Sequence, residues 1–109
     1  MTYNIILQPN AQADVDRIIG YLAERSREGA AAWCKAWDSL LAELRDRADS
    51  FGLAPESSYY EDEIRQAFFK TRRGRTYRAM FVVVHDTVHV VHVRGPGQDL
   101  VSPEELQIP

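Results

Sequence analysis

Residues 64–94 hold seven of the chain's 13 Lys and Arg side chains against a single acid. Lys70, Arg72, Arg73, Arg75, Arg78 and Arg94 make up most of that group. Their chemistry is that of anion binding, since a guanidinium offers paired N–H donors to phosphate or carboxylate and steadies negative charge as it develops. His92 lies among them with a reference pKa of about 6.5, suited to giving or taking a proton near neutrality. A plainer reading stands beside this one, in which the cations form a solvated strand end balanced by the acids of 56–63. No metal site and no cofactor are expected, because His85, beside a turn, and His89, on a strand, lack ligand partners nearby in sequence.

The cationic segment is set in an acidic chain. The net charge of -3 divides into -6 over residues 1–63, +6 over 64–94 and -3 over 95–109. A basic patch on an acidic body is the feature to explain, and it suits a negatively charged partner better than broad nucleic-acid affinity. With 109 residues, 45% apolar and 27% charged, one domain over 1–109 with a small core is expected. No apolar run is long enough to span a bilayer, no basic-then-apolar leader is seen at the N-terminus, and the lone Cys34 cannot close an intrachain disulfide. The expectation is a cytoplasmic protein with no membrane partner.

The elements that must position these side chains follow from periodicity. Tyr3 to Leu7 reads as a short first strand stopped by Pro9, with Asn10 as a helix cap. Ala11, Val15, Ile18, Ile19 and Leu22 fall at helical spacing, with Asp14, Asp16 and Arg17 on the other faces. That helix is expected to end near Ser26, and Gly29 breaks the pattern. A second helix follows, its stripe made of Trp33, Ala36, Trp37, Leu40, Leu41, Leu44 and Ala48, and both tryptophans are expected in the core. So short a connection makes the two helices an antiparallel hairpin. Residues 50–63 read as a loop pinned by Tyr59 and Tyr60, and 64–71, 77–85 and 88–94 as an antiparallel strand meander. The tail from about residue 95 is expected to be irregular. The fold class is α+β in the order β-α-α-β-β-β, with the helical hairpin packed on one face of a small antiparallel sheet.

A two-residue turn at Asp86-Thr87 would set Phe81 opposite His92. One face would then carry Tyr77, Ala79, Phe81, Val83, Val90, His92 and Arg94, and the other Arg78, Met80, Val82, Val84, His89, Val91 and Val93. The second set is the more continuously apolar and is expected under the helices. That leaves the first set, Phe81 included, as a concave face bordered by His92 and Arg94 and open to a partner.

The stretch GRTYRAMFVVVHDTVHVVHVRG, taken with the preceding helical hairpin and the element order, resembles the RelE/ParE superfamily of toxins from type II toxin-antitoxin systems over roughly residues 3–100. The resemblance implies a compact toxin of the plasmid-stabilisation type, neutralised by a cognate antitoxin that wraps it. Lys70, Arg72, Arg73, Arg75, Phe81 and Arg94 are then the expected partner-binding residues.

The superfamily divides by chemistry. The branch that cleaves mRNA on the ribosome uses basic side chains along the sheet, the arginine of the Tyr-Arg element and an arginine with a tyrosine, or a histidine-tyrosine pair, near the C-terminus. Arg78 matches the Tyr-Arg arginine, and Lys70, His92 and Arg94 are the other catalytic candidates if the chain is a ribonuclease. Yet no tyrosine follows Tyr77 and no arginine follows Arg94, while cleavage through the 2′-hydroxyl needs proton transfer that arginines supply poorly. The ParE-like branch, which inhibits DNA gyrase by protein contact, needs no catalytic set and is the branch this sequence favours. A degenerate toxin that retains only antitoxin binding is a third reading.

Overall fold

The computed structural model describes residues 2–96. Strand β1 (Asn4–Leu7) leads into helix α1 (Pro9–Arg25) and helix α2 (Arg27–Arg47), followed by short 3-10 turns at Ala48–Ser50 and Pro55–Tyr59. Strands β2 (Arg65–Phe69), β3 (Tyr77–Val84) and β4 (Thr87–Arg94) complete one four-stranded sheet of order β1-β4-β3-β2. The β-α-α-β-β-β order and the α+β class are as expected. Among the described residues no helix is long and apolar enough to cross a membrane.

Local chemistry places the helices. Pro9 opens α1 in its first turn, where the missing N–H would have no helical partner anyway, so the helix starts ahead of the Asn10 cap expected from sequence. Helix α1 ends at Ser26 as expected, and Ser26 alone is the break, rather than a few residues around Gly29. Ser26 is extended (φ -161°, ψ 115°), and its Oγ accepts a hydrogen bond from the Gly29 N–H at 2.9 Å, capping α2. Gly29 therefore lies inside the first turn of α2.

The sheet is mixed rather than antiparallel throughout as expected, with β1 parallel to β4. The helical hairpin explains this, because α2 returns the chain to the starting end of β1, where the Tyr3 N–H donates to the Arg45 carbonyl at 2.8 Å. From there β2, β3 and β4 alternate in direction, and the third of them again runs with β1.

The register of the β3-β4 hairpin corrects the expected faces. Val84 pairs with Thr87, so the turn is His85-Asp86, and His85 takes a left-handed φ of 55°, a conformation that a non-glycine residue adopts chiefly in tight turns. Phe81 pairs with Val90 but Met80 pairs with His92. Val91 is thus an extra residue in β4, a bulge that reverses the inward and outward alternation beyond it. Val88, Val90 and Val93 come to share one face with Tyr77, Ala79, Phe81 and Val83, and that face packs against Trp33, Trp37, Leu40 and Leu44 of α2 and against Val15 and Ile18 of α1. The helices therefore cover the face that the unbulged register left open. Without the bulge His92 and Arg94 would have pointed under the helices, which is why that face looked unsuitable as a core.

The other face is partly covered by the chain itself. Ala54, Ile64 and Tyr60 close over Met80, Val82 and Val91 in a second apolar cluster. Tyr60 holds the 50–63 segment as expected, whereas Tyr59 is exposed.

Candidate functional site: a basic groove at the hairpin tip

The expected site residues do not form one surface. Lys70, Arg72, Arg73 and Arg75 are exposed on the β2-β3 connection, at the end of the sheet nearest the α1-α2 junction. Among the described residues none of these four takes part in an ion pair. Arg73 and Arg75 line a groove of about 800 Å3 closed on its far side by α1 and α2. Its walls include Arg17, Tyr21 and Leu22, and Trp33 and Tyr77 also line it. The ring of Tyr77 meets Trp33 edge-on at 5.6 Å between centroids, and Trp33 stacks on Trp37 at 5.9 Å. The groove thus joins cationic rims to an aromatic floor.

Phe81 is not part of any accessible surface. It is fully buried under the helices, with Phe51 edge-on at 5.9 Å, because the bulge put its face in the core. Phe81 therefore offers a partner no surface, contrary to its expected place on the open face.

Arg78 turns to the opposite face and is committed within the molecule. Its two terminal nitrogens donate to Glu56 Oε1 and Oε2, each at 2.7 Å, and Nη1 also donates to Gln66 Oε1 at 3.3 Å. Glu56 is 0% exposed, on the Pro55–Tyr59 turn. This bidentate pair fastens the 54–64 segment to β3. Arg94 lies across the strand pair from Arg78 and so shares that face rather than the groove, though the next residues, Gly95 and Pro96, do line the groove.

His92 is likewise engaged. Its Nδ1 lies 2.7 Å from Asp14 Oδ2, and the same oxygen accepts the Val93 N–H at 2.9 Å, while Oδ1 accepts Arg17 at 2.6 Å. β1 ends opposite Val90, so Asp14 takes over the free edge of β4 where strand pairing stops. Burial works to raise the Asp14 pKa, but the hydrogen bonds from His92, Val93 and Arg17 outweigh it and hold the carboxyl below its ordinary value. Asp14 had been placed on the polar side of α1. Its spacing of three and four residues from Ala11 and Ile18 was the signal that it faces inward. Glu56 had no such signal, being one acid among several in a loop.

Chemically, the groove can hold an anionic, partly apolar ligand or segment. Its lining among the described residues contains no carboxylate or imidazole. Burial pushes the Tyr77 hydroxyl up from its ordinary value, against a smaller opposing pull from Arg75, so it stays protonated near neutrality and acts as a donor.

The architecture is two helices on one face of a four-stranded mixed sheet, with exposed cations at one end of the sheet. The fold is shared with a solved structure: a chain from the "Chromosomal ParDE TA system from P. aeruginosa" superposes with a TM-score of 0.64 at 17% identity, covering 86% of this chain and 96% of that one. At that identity the likeness is one of fold. No protein-family model matches the sequence, and no curated protein matches it.

Proposed function

We propose that this chain is the toxin of a toxin-antitoxin pair, ParE-like in acting by protein contact, with DNA gyrase as its target and a cognate antitoxin as its neutraliser. The fold shared with a chain of a ParDE system supports the class. The observation that carries the branch is the commitment of Arg78 to Glu56. A ribonuclease would need that guanidinium free for a phosphate, and here its charge is met by a buried carboxylate. His92, the proton-transfer candidate, is held by Asp14 in the same way.

The antitoxin would dock through acidic side chains on Lys70, Arg72, Arg73 and Arg75, which are exposed and among the described residues take part in no ion pair. Such complementarity raises association rate and selects the partner. Induction of the gene alone should arrest growth and coexpression of its antitoxin should restore it. Purified protein should inhibit gyrase supercoiling. Codon-positioned cuts in translated mRNA, with gyrase unaffected, would overturn the proposal in favour of the ribonuclease branch. Unimpaired growth together with intact antitoxin binding would identify a degenerate toxin instead.

A further inference from the structure

We propose that the basic groove is a binding site for a small phosphomonoester that carries an aromatic ring, a mononucleotide being one source of that chemistry. At about 800 Å3 the groove has the size of a small-molecule site. Its chemistry is one-sided. Among the described residues its polar side chains are arginines, hydroxyls and one indole, with no carboxylate, imidazole or amide, so it offers donors and suits a ligand rich in acceptors. Arg17 is met by Asp14, but Arg73 and Arg75 take part in no ion pair among the described residues. Two guanidinium charges without a counter-charge match a phosphomonoester, which carries about two negative charges at neutral pH and several strong acceptor oxygens. A carboxylate would answer only one of them.

The phosphate end belongs at the β2-β3 connection. Arg75 acts electrostatically on the Tyr77 hydroxyl, so a hydroxyl donor lies beside that cation. The turn that carries the arginines is fixed: the Gly74 N–H donates to the Thr71 carbonyl at 3.2 Å, and a Cβ at position 74 would collide with Thr71 Oγ1. A turn held this tightly loses little freedom when it binds. The ring end has the apolar wall of Ile18 and Leu22 and the aromatic pair of Trp33 and Tyr77, whose rings meet edge-on. A planar ring extends such a cluster in the edge-on or offset arrangements that aromatic groups prefer. Trp33 gives an independent indication. It is 2% exposed, it lines the groove, and its Nε1 has no hydrogen-bond partner among the described residues, whereas a buried indole N–H ordinarily finds an acceptor. The inference concerns the groove alone and does not rest on the toxin assignment. Both use Arg73 and Arg75, so a bound phosphomonoester and an acidic antitoxin would exclude each other.

The test titrates the isotope-labelled full chain by heteronuclear NMR at low ionic strength, where charge pairing is least screened. The probes are AMP, phenyl phosphate, glycerol phosphate, adenosine and inorganic phosphate. AMP and phenyl phosphate should each bind at least about tenfold more tightly than glycerol phosphate, which lacks the ring, and than adenosine, which lacks the charge. The tighter of the two names the source, a nucleotide or another aryl phosphate, and either result supports the proposal. The indole N–H signal of Trp33, assigned by its loss in Trp33→Phe or its survival in Trp37→Phe, should move more than that of Trp37. Arg73→Gln with Arg75→Gln should weaken both ligands at least about tenfold, with an unchanged far-UV circular dichroism spectrum showing that the fold survives. No binding of either ligand at millimolar concentration would overturn the proposal, as would equal binding of glycerol phosphate or inorganic phosphate. Binding indifferent to the arginine changes, or a Trp33 indole signal that stays in place while distant residues shift, would do the same. Growth arrest and gyrase inhibition are read separately, so failure of the toxin assignment leaves this result interpretable.

Discussion

Replacing Arg78 with alanine tests the reading of this residue as a strut. The guanidinium makes two 2.7 Å bonds to a carboxylate that is 0% exposed, and its own side chain is 13% exposed. Arg78→Ala withdraws both bonds while Glu56 stays in a site that water reaches poorly. Breaking a buried pair from one side costs about 3–5 kcal/mol, and the partial exposure of Arg78 argues for the lower end. At roughly 4–8 °C per kcal/mol for a domain of this size, about 3 kcal/mol lowers the melting midpoint by on the order of 10–20 °C. Thermal unfolding followed by far-UV circular dichroism measures this directly. Glu56→Leu with Arg78→Leu should recover much of the loss, because two apolar side chains leave no buried charge behind. A melting midpoint for Arg78→Ala within about 2 °C of wild type, the range of an ordinary surface change, would refute the strut. It would release Arg78 for the phosphate role that the ribonuclease reading requires.

Asp14→Asn should cost about 2 kcal/mol at neutral pH, since hydrogen bonds to a charged acceptor are the stronger kind. Because the folded carboxyl is held below its ordinary value of 3.8, the unfolded chain takes up its proton first as pH falls. The wild type should therefore lose this contribution on acidification from about pH 5 downward, and urea unfolding of Asp14→Asn should show a shallower pH slope there. Phe81→Ala should destabilise by about 3–5 kcal/mol as a core truncation, with antitoxin affinity unchanged once folding is corrected for; a selective loss of affinity would restore Phe81 to a binding surface. Arg72→Ala, Arg73→Ala and Arg75→Ala together should leave stability within about 0.5 kcal/mol but weaken antitoxin binding and flatten its salt dependence, measured by calorimetry at two ionic strengths. Unchanged affinity in that triple variant would make the cluster ordinary surface.

The elements themselves were legible in sequence, because each helix carries an apolar stripe at its own period and the strands are runs of β-branched and aromatic residues. The Trp33, Trp37, Leu40 and Leu44 stripe needed only a sheet to lie on, and the exposed cations at 72–75 sit at the end of that sheet, as their place between two strands dictates. Sequence alone left open which face of β3 the stripe would meet. Alternation has a period of two, so one extra residue exchanges inside and outside, and the bulge at Val91 with the His85-Asp86 turn made that exchange. Only the tertiary structure brought Glu56 to Arg78 and Asp14 to His92, pairs 22 and 78 residues apart in the chain. A charge advertises its sign in the sequence, but the charge it meets is decided by how distant segments pack, and that meeting separates the committed arginine at 78 from the exposed ones at 73 and 75, which among the described residues pair with no carboxylate.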